Sequence, residues 1–351
     1  MAKTPAAALC AAVLMTFLAA VPPAVAEVVR DLYSATVSVA DQGKTALARG
    51  SGEALAEVLV KVSGRYEVLE NPAIREALGG ARAQVQQYAY TRSGPDGGLA
   101  ARYEFDPAWV TRLIASAGEP LWTANRPLVL AWVVVETPAG REFINPETAP
   151  DEAALLLEAF ERRGVPVQFP LFDLADTAAI GPQDVWRLDG IVLRSASARY
   201  NVQHIVAGRV AALSTGGVLG DWSYFSQQER LDRSAPARDL PDFLRQGVAI
   251  VAEDMAGRYA VAPRQVDDAG VRMAVSGVTG FADYAGIVNW LESLELVDHA
   301  TVERIAGDRL ELRILARADA VQLATLIELN TRLQPVPVSG SGPRLNYQWL
   351  N

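Results

Sequence analysis

The one cysteine in this chain, Cys10, falls inside a stretch that reads as a secretory leader. Lys3 supplies the positive start, and Ala6–Ala20 is an apolar run broken only by Thr16. Pro22 and Pro23 end any helix, and Ala24-Val25-Ala26 forms a small-residue cleavage site before Glu27. The run is short for a bilayer span, so residues 1–26 are expected to be a signal peptide cleaved after Ala26, and the protein to be periplasmic. A lipid anchor on Cys10 is disfavoured, because Leu9 stands where a lipobox needs a small residue. The exported chain then has no thiol, hence no disulfide, no cysteine metal site and no cysteine nucleophile. It must fold without covalent staples.

The composition permits this. Half of the 351 residues are hydrophobic and 21% are charged, which describes a globular chain with room for several modules. A net charge of −9 argues against nucleic-acid binding, which needs a basic face. After the leader no apolar run exceeds strand length, so no transmembrane segment is expected.

Periodicity divides the rest into three units. In 27–126, strand 28–40 precedes an amphipathic helix over 44–62. Leu47, Leu55, Val58, Leu59 and Val62 form the apolar face of that helix, and Glu53, Glu57 and Lys61 the polar one. Gly50 and Gly52 within it mark close packing. Asn71-Pro72 and Asp106-Pro107 each pair a capping side chain with a proline at the first helical position. Between them lies a hairpin, 84–91 with 99–105. In 127–262, the unbroken run Leu128–Val135 reads as a strand buried on both faces. The stretch 137–150 reads as a loop, 151–163 as a helix stopped by Gly164, and 183–188 as a short helix closed by Gly190. A hairpin, 200–213 with 218–225, leads to a long helix over 239–259. In 263–333 the order β-α-β-β-α makes most of a split βαβ, ferredoxin-like unit. Residues 334–351 are rich in proline, glycine and serine and read as a flexible tail. The fold class is α+β, with two or three small α/β-sandwich modules.

Chemistry is harder to find. The two histidines, His204 and His299, fall in different units, with no metal spacing and no nucleophile motif. Gly277–Gly280 reads as a tight β-to-α turn, and the acidic pairs Glu253-Asp254 and Asp267-Asp268 as solvated surface. No catalytic residue, metal ligand or cofactor site is expected. The one candidate binding surface is aromatic. In Asp221-Trp222-Ser223-Tyr224-Phe225, alternation puts Trp222 and Tyr224 on the same side. Tyr200 and Arg209 on the neighbouring strand would extend it. This surface is either a platform for a peptide or glycan, or an aromatic cap on the core beneath the long helix, and the cap is the favoured reading.

Several short motifs resemble the uncharacterised proteobacterial family of domain of unknown function 2066. They are Leu32–Val37, the helix 46–64 ending Lys61-Val62-Ser63-Gly64, Val85–Tyr88, Tyr103–Trp109, Pro127–Val135, Gly208–Val210 with Asp221-Trp222, Gly247–Tyr259 and Val275–Leu296. That resemblance implies an exported envelope protein and carries no catalytic residues. Together these readings lead to the expectation of a non-catalytic periplasmic binding or assembly protein with an envelope protein as partner. The alternatives are a carboxylate-based hydrolase or glycan-active enzyme, and a periplasmic protein that binds a small ligand or glycan.

Overall fold

The computed structural model describes residues 26–93, 97–214, 216–226, 229–263, 269–330, 332–337 and 345–350. The leader expected over 1–26 therefore lies almost wholly outside the described residues, as do Asp267-Asp268 and the hairpin tip 94–96. The fold is α+β, with helices packed on several small sheets.

The N-terminal module contains β1 (Ala26–Val28), β2 (Ser34–Ser38), α1 (Lys44–Ser63), α2 (Pro72–Gly79), β3 (Val85–Ser93), β4 (Gly98–Phe105), α3 (Pro107–Ser116) and β5 (Asn125–Pro127). The two cap-plus-proline signals form as expected: the Asn71 side chain accepts from Ala73 N–H and Asp106 from Trp109 N–H. An antiparallel sheet runs β2-β4-β3, while β1 pairs antiparallel with β5. Helix α1 lies on the sheet so tightly that a Cβ at Gly50 would sit 2.5 Å from the Tyr103 hydroxyl. One expectation for α1 fails. Lys61, placed on the polar face by periodicity, is only 3% exposed.

The middle module contains β6 (Val129–Thr137), β7 (Gly140–Phe143), α4 (Pro150–Arg163), β8 (Val167–Gln168), α5 (Leu174–Ala179), α6 (Pro182–Trp186), α7 (Gly190–Ser197), β9 (His204–Ala212), β10 (Val218–Phe225), β11 (Arg230–Ala237) and α8 (Leu240–Tyr259). Its sheet runs β11-β10-β9-β6-β7, with β6 and β9 parallel and the short β8 also against β6. Val129, Ala131 and Val133 face α4 and α8, whereas Leu130, Trp132 and Val134 face the α5–α7 layer. The unbroken apolar run is thus explained by burial on both sides. Three details differ from the sequence reading. The stretch 137–150 contains β7, and β11 exists although its residues are polar, because it is an exposed edge strand that buries little. Gly190 opens α7 rather than closing a helix, since the Asp189 side chain caps it by accepting from Ile191 and Val192 N–H.

The C-terminal module contains β12 (Val271–Ser276), α9 (Phe281–Glu292), β13 (Val297–Ala306), β14 (Arg309–Ala316), α10 (Ala320–Ile327), β15 (Leu333–Pro335) and β16 (Leu345–Trp349). The strand order is β13-β14-β12-β16-β15. A split βαβ unit places the strand after the second helix beside the first strand. Here β16 takes that position, parallel to β12, and β15 is displaced to the edge. The flexible-tail reading of 334–351 is therefore corrected for 345–349: Leu345, Tyr347 and Trp349 are buried in an interior strand. Their apolar side chains alternate with Asn346 and Gln348, and they contribute to an apolar core that runs on from the first module.

Candidate functional site

The aromatic candidates do not form a surface. Trp222 is fully buried beneath α8. Its ring stacks on Phe243 at 4.7 Å between centroids, and its Nε1 donates to the Phe243 carbonyl at 3.2 Å. The indole fills a slot between two glycines. A Cβ at Gly208 or Gly247 would lie 2.5 or 2.1 Å from its ring atoms. Tyr224 is 1% exposed and its hydroxyl lies 2.6 Å from His204 Nδ1. The Tyr259 hydroxyl lies 3.3 Å from the other ring nitrogen. Burial pushes the His204 imidazole down to about 4 and the Tyr224 phenol well above its ordinary range. Arg209 pairs across the sheet with Asp221, so it lies on the opposite face from Trp222. There its Nε donates to Asp221 at 2.8 Å and Nη1 to the Trp186 carbonyl at 2.8 Å. Tyr200 sits in a 3-10 turn before β9, donating to Asp176 and accepting from Leu171 N–H. The four residues do not converge, and Trp222 and Tyr224 form the aromatic core cap.

A cleft of about 590 Å³ opens elsewhere, between β2 and α1 on one side and α4 on the other. Its β2 wall is an unpaired sheet edge, since β2 has β4 as its neighbour on one side and no strand on the other among the described residues. The register shows which main-chain groups face out. Phe105 N–H donates to Tyr33 O and Val39 N–H to Leu99 O, so the odd-numbered residues of β2 bond to β4. The main-chain groups of Ser34, Thr36 and Ser38 then point away from β4. The carbonyl of Ser34 is already taken, by the Lys61 ammonium at 2.9 Å. Thr36 and Ser38 line the cleft.

The cleft is also strongly ionic. Glu57, on α1, accepts Arg162 of α4 at 2.9 Å and stands 3.8 Å from Lys61. Burial lowers the Lys61 ammonium from its usual range, opposed by Glu57, Glu161 and Asp31. A smaller recess of about 310 Å³ reaches Lys61, Arg102 and Arg162 from the Ser34 end. Arg163, also on α4, lines the main cleft, is 4% exposed and packs its guanidinium 4.5 Å from the Tyr66 ring centroid. Its Nη2 donates to the Gly64 carbonyl at 2.8 Å, whereas Nε and Nη1 are buried without an acceptor.

What holds the two walls in place is Arg126, which is wholly buried. Its Nη2 donates at 2.8 Å to the carbonyls of Lys61 and Trp122, Nη1 at 2.7 Å to that of Gly164, and Nε at 2.8 Å to that of Thr123. Lys61 lies in the last turn of α1 and Gly164 caps α4, so the carbonyl ends of both helices point at one cation. The Trp122 ring stacks on the guanidinium at 3.8 Å. Burial lowers Arg126 to about 9. Neither Arg126 nor the edge of β2 was singled out from sequence, where Arg126 marked only the boundary before Pro127. Among the described residues, no group of three or more His, Cys, Asp or Glu could hold a metal ion. Nor is any helix among them long and apolar enough to cross a membrane.

A family model described as Domain of unknown function (DUF8605) matches residues 26–123. This corrects the resemblance to domain of unknown function 2066, since the matching family is a different one and its match ends within the N-terminal module. The matched segment contains the open edge of β2 and Lys61, but not α4 with Arg162 and Arg163. No curated protein matches the chain.

Proposed function

We propose that this protein is a non-catalytic binding or assembly protein of the cell envelope, exported by its leader, which holds an extended segment of a partner protein along β2. The observation that carries this reading is the unpaired β2 edge in the wall of the cleft between β2 and α4. Main-chain donors and acceptors on such an edge accept another strand directly, and alternate side chains of that strand meet the flanking walls. The ionised groups nearby are engaged with each other: Glu57 with Lys61 and Arg162, and Arg102 with Asp31.

The test is site-specific photocrosslinking in intact cells producing the full chain. The crosslinker is placed at Ser38 on the edge and, as a control, at Ile191, which is 83% exposed on the opposite side of the middle module. The expected result is one reproducible envelope protein captured from Ser38, absent from Ile191 and lost when Thr36→Pro removes the outward N–H. Equal capture from both positions, or capture that survives Thr36→Pro, refutes the reading. Fractionation and N-terminal sequencing in the same strain test export: a periplasmic chain starting at Glu27 is expected, and a cytoplasmic chain retaining residues 1–26 refutes it.

A further inference from the structure

We infer that the segment held along β2 also carries a large apolar side chain and lodges it in a second hollow, between β1 and α4. This rests on the edge-binding reading above and names the chemistry of its occupant. The hollow is a groove of about 360 Å³, walled by Val28 and Val29 on one side and by Leu157 and the stretch Val165-Pro166-Val167 on the other. Val28 is 60% exposed and Leu157 40%, so two large apolar side chains of one concavity stand open to water. The core does not account for Leu157. The buried apolar stripe of α4 is made by Ala153, Leu156, Ala159 and Phe160, and Leu157 lies outside it, beside the exposed Glu158 and Glu161. A single exposed leucine is ordinary, but apolar side chains gathered in a groove mark a contact site. The walls are also fixed in place. β1 is paired with β5, Val29 N–H donates to the Ala124 carbonyl, and Val129 N–H donates to that of Pro166. Gly164, which also lines the groove, gives its carbonyl to Arg126.

Continuity with the cleft ties this groove to the β2 edge. The cleft takes one wall from Thr36, Val37 and Ser38, the recess from Ser34, Ala35 and Thr36, and the groove from residues 27–31. The opposite wall of all three comes from α4 and the residues just after it. Glu158 and Arg162 are shared by cleft and recess, and Glu161 by recess and groove. The three hollows therefore succeed one another around α4 and form one trough. Lys61 takes the Ser34 carbonyl, so main-chain pairing stops there and a guest that continues past it is held through its side chains. The chain from Val28 to Thr36 covers at most about 29 Å when fully extended, so a segment of about nine residues reaches from the edge to the groove. The ionised residues at the groove, Glu27, Asp31 and Glu161 against Arg30, disfavour an acidic side chain there, whereas an apolar one gains burial against Val28 and Leu157.

Selection of randomised linear peptides on the protein purified from producing cells, followed by affinity measurement, tests this. Enriched peptides are expected to carry a large apolar residue at one fixed position, and replacing it with Ser should weaken binding by about tenfold or more. Leu157→Ser, at an exposed position, is expected to remove that difference, so that the apolar peptide and its Ser counterpart bind the variant alike. Thr36→Pro is expected to abolish binding of both. If the proline variant does not fold, as judged by circular dichroism, N-methylation of successive peptide amides replaces it, with binding expected to fall at alternate positions. Enriched peptides without an apolar preference, or with one that Leu157→Ser leaves intact, overturn the groove inference, and if they still depend on Thr36 the edge reading stands. Peptides that need Leu157 but are indifferent to Thr36→Pro and to N-methylation overturn both. A dimer in light scattering that Leu157→Ser converts to a monomer shows a second copy in the groove, and that too overturns the inference.

Discussion

His204 should make stability fall steeply on mild acidification. In the folded protein this imidazole is 2% exposed and sits between the hydroxyls of Tyr224 and Tyr259. Burial lowers it from 6.5 to about 4, against the attraction of Asp254. The unfolded chain therefore takes up a proton near pH 6.5 that the folded chain refuses until about pH 4. The stabilisation is fully present above the unfolded value and is lost as pH falls to the folded one. At about 1.4 kcal/mol per unit, the loss across that window is on the order of 3 kcal/mol. The carboxylates also titrate as pH falls, so the quantity to follow is a difference. Wild type and His204→Gln should be unfolded in urea at pH 7, 6, 5 and 4, with helix content followed by circular dichroism. His299 is present in both and cancels. The variant should be the less stable at pH 7, having lost packing against two hydroxyls, and its disadvantage should shrink by about 3 kcal/mol by pH 4. A stability gap that stays constant across the window would refute the argument that the imidazole is buried neutral.

Two further outcomes follow from packing. Arg126→Met leaves the carbonyls of Lys61, Trp122, Thr123 and Gly164 without their donor, and should cost about 3–5 kcal/mol in urea unfolding, with Arg126→Lys falling between it and wild type. An unfolding midpoint for Arg126→Met equal to wild type would show that the cation does not hold the two helix ends. Gly247→Ala drives a methyl into the indole of Trp222 and should destabilise by about 1–3 kcal/mol, with a change in tryptophan emission. A neutral result there would mean that the slot has slack the geometry does not show.

Local physics was legible in this chain, and long-range pairing was not. Asn71-Pro72 and Asp106-Pro107 announce helix starts because a cap and its proline are adjacent in sequence. The run from Val129 to Val134 announces a strand buried on both faces because burial acts on each residue in turn. By contrast, β11 is a strand only because β10 offers it an edge, and its sequence, Arg-Leu-Asp-Arg-Ser-Ala-Pro-Ala, has no apolar alternation to betray it. The alternation in β16 was there to find, in Leu345, Tyr347 and Trp349, but proline, glycine and serine just before it pointed the other way. The candidate site was the least legible part. A lysine at position 61 reads as solvated on a helical projection, and its burial is made tolerable by the carbonyl of Ser34, 27 residues away in sequence, together with Glu57 one turn earlier. The aromatic residues that attracted attention are instead core, because Gly208 and Gly247 leave a slot for an indole that strand alternation cannot reveal.

The Arg126 clamp has a consequence for how the cleft would meet a guest. With one cation gripping the carbonyl ends of α1 and α4, the two walls are fastened at their base and cannot hinge apart without breaking several bonds at once. The groove is in effect cast before the guest arrives. An arriving strand then loses its own freedom but does not have to organise its host, so its on-rate should track encounter rather than host rearrangement. A site of this kind favours prompt capture of a segment that is already extended, and resists one that must first unfold.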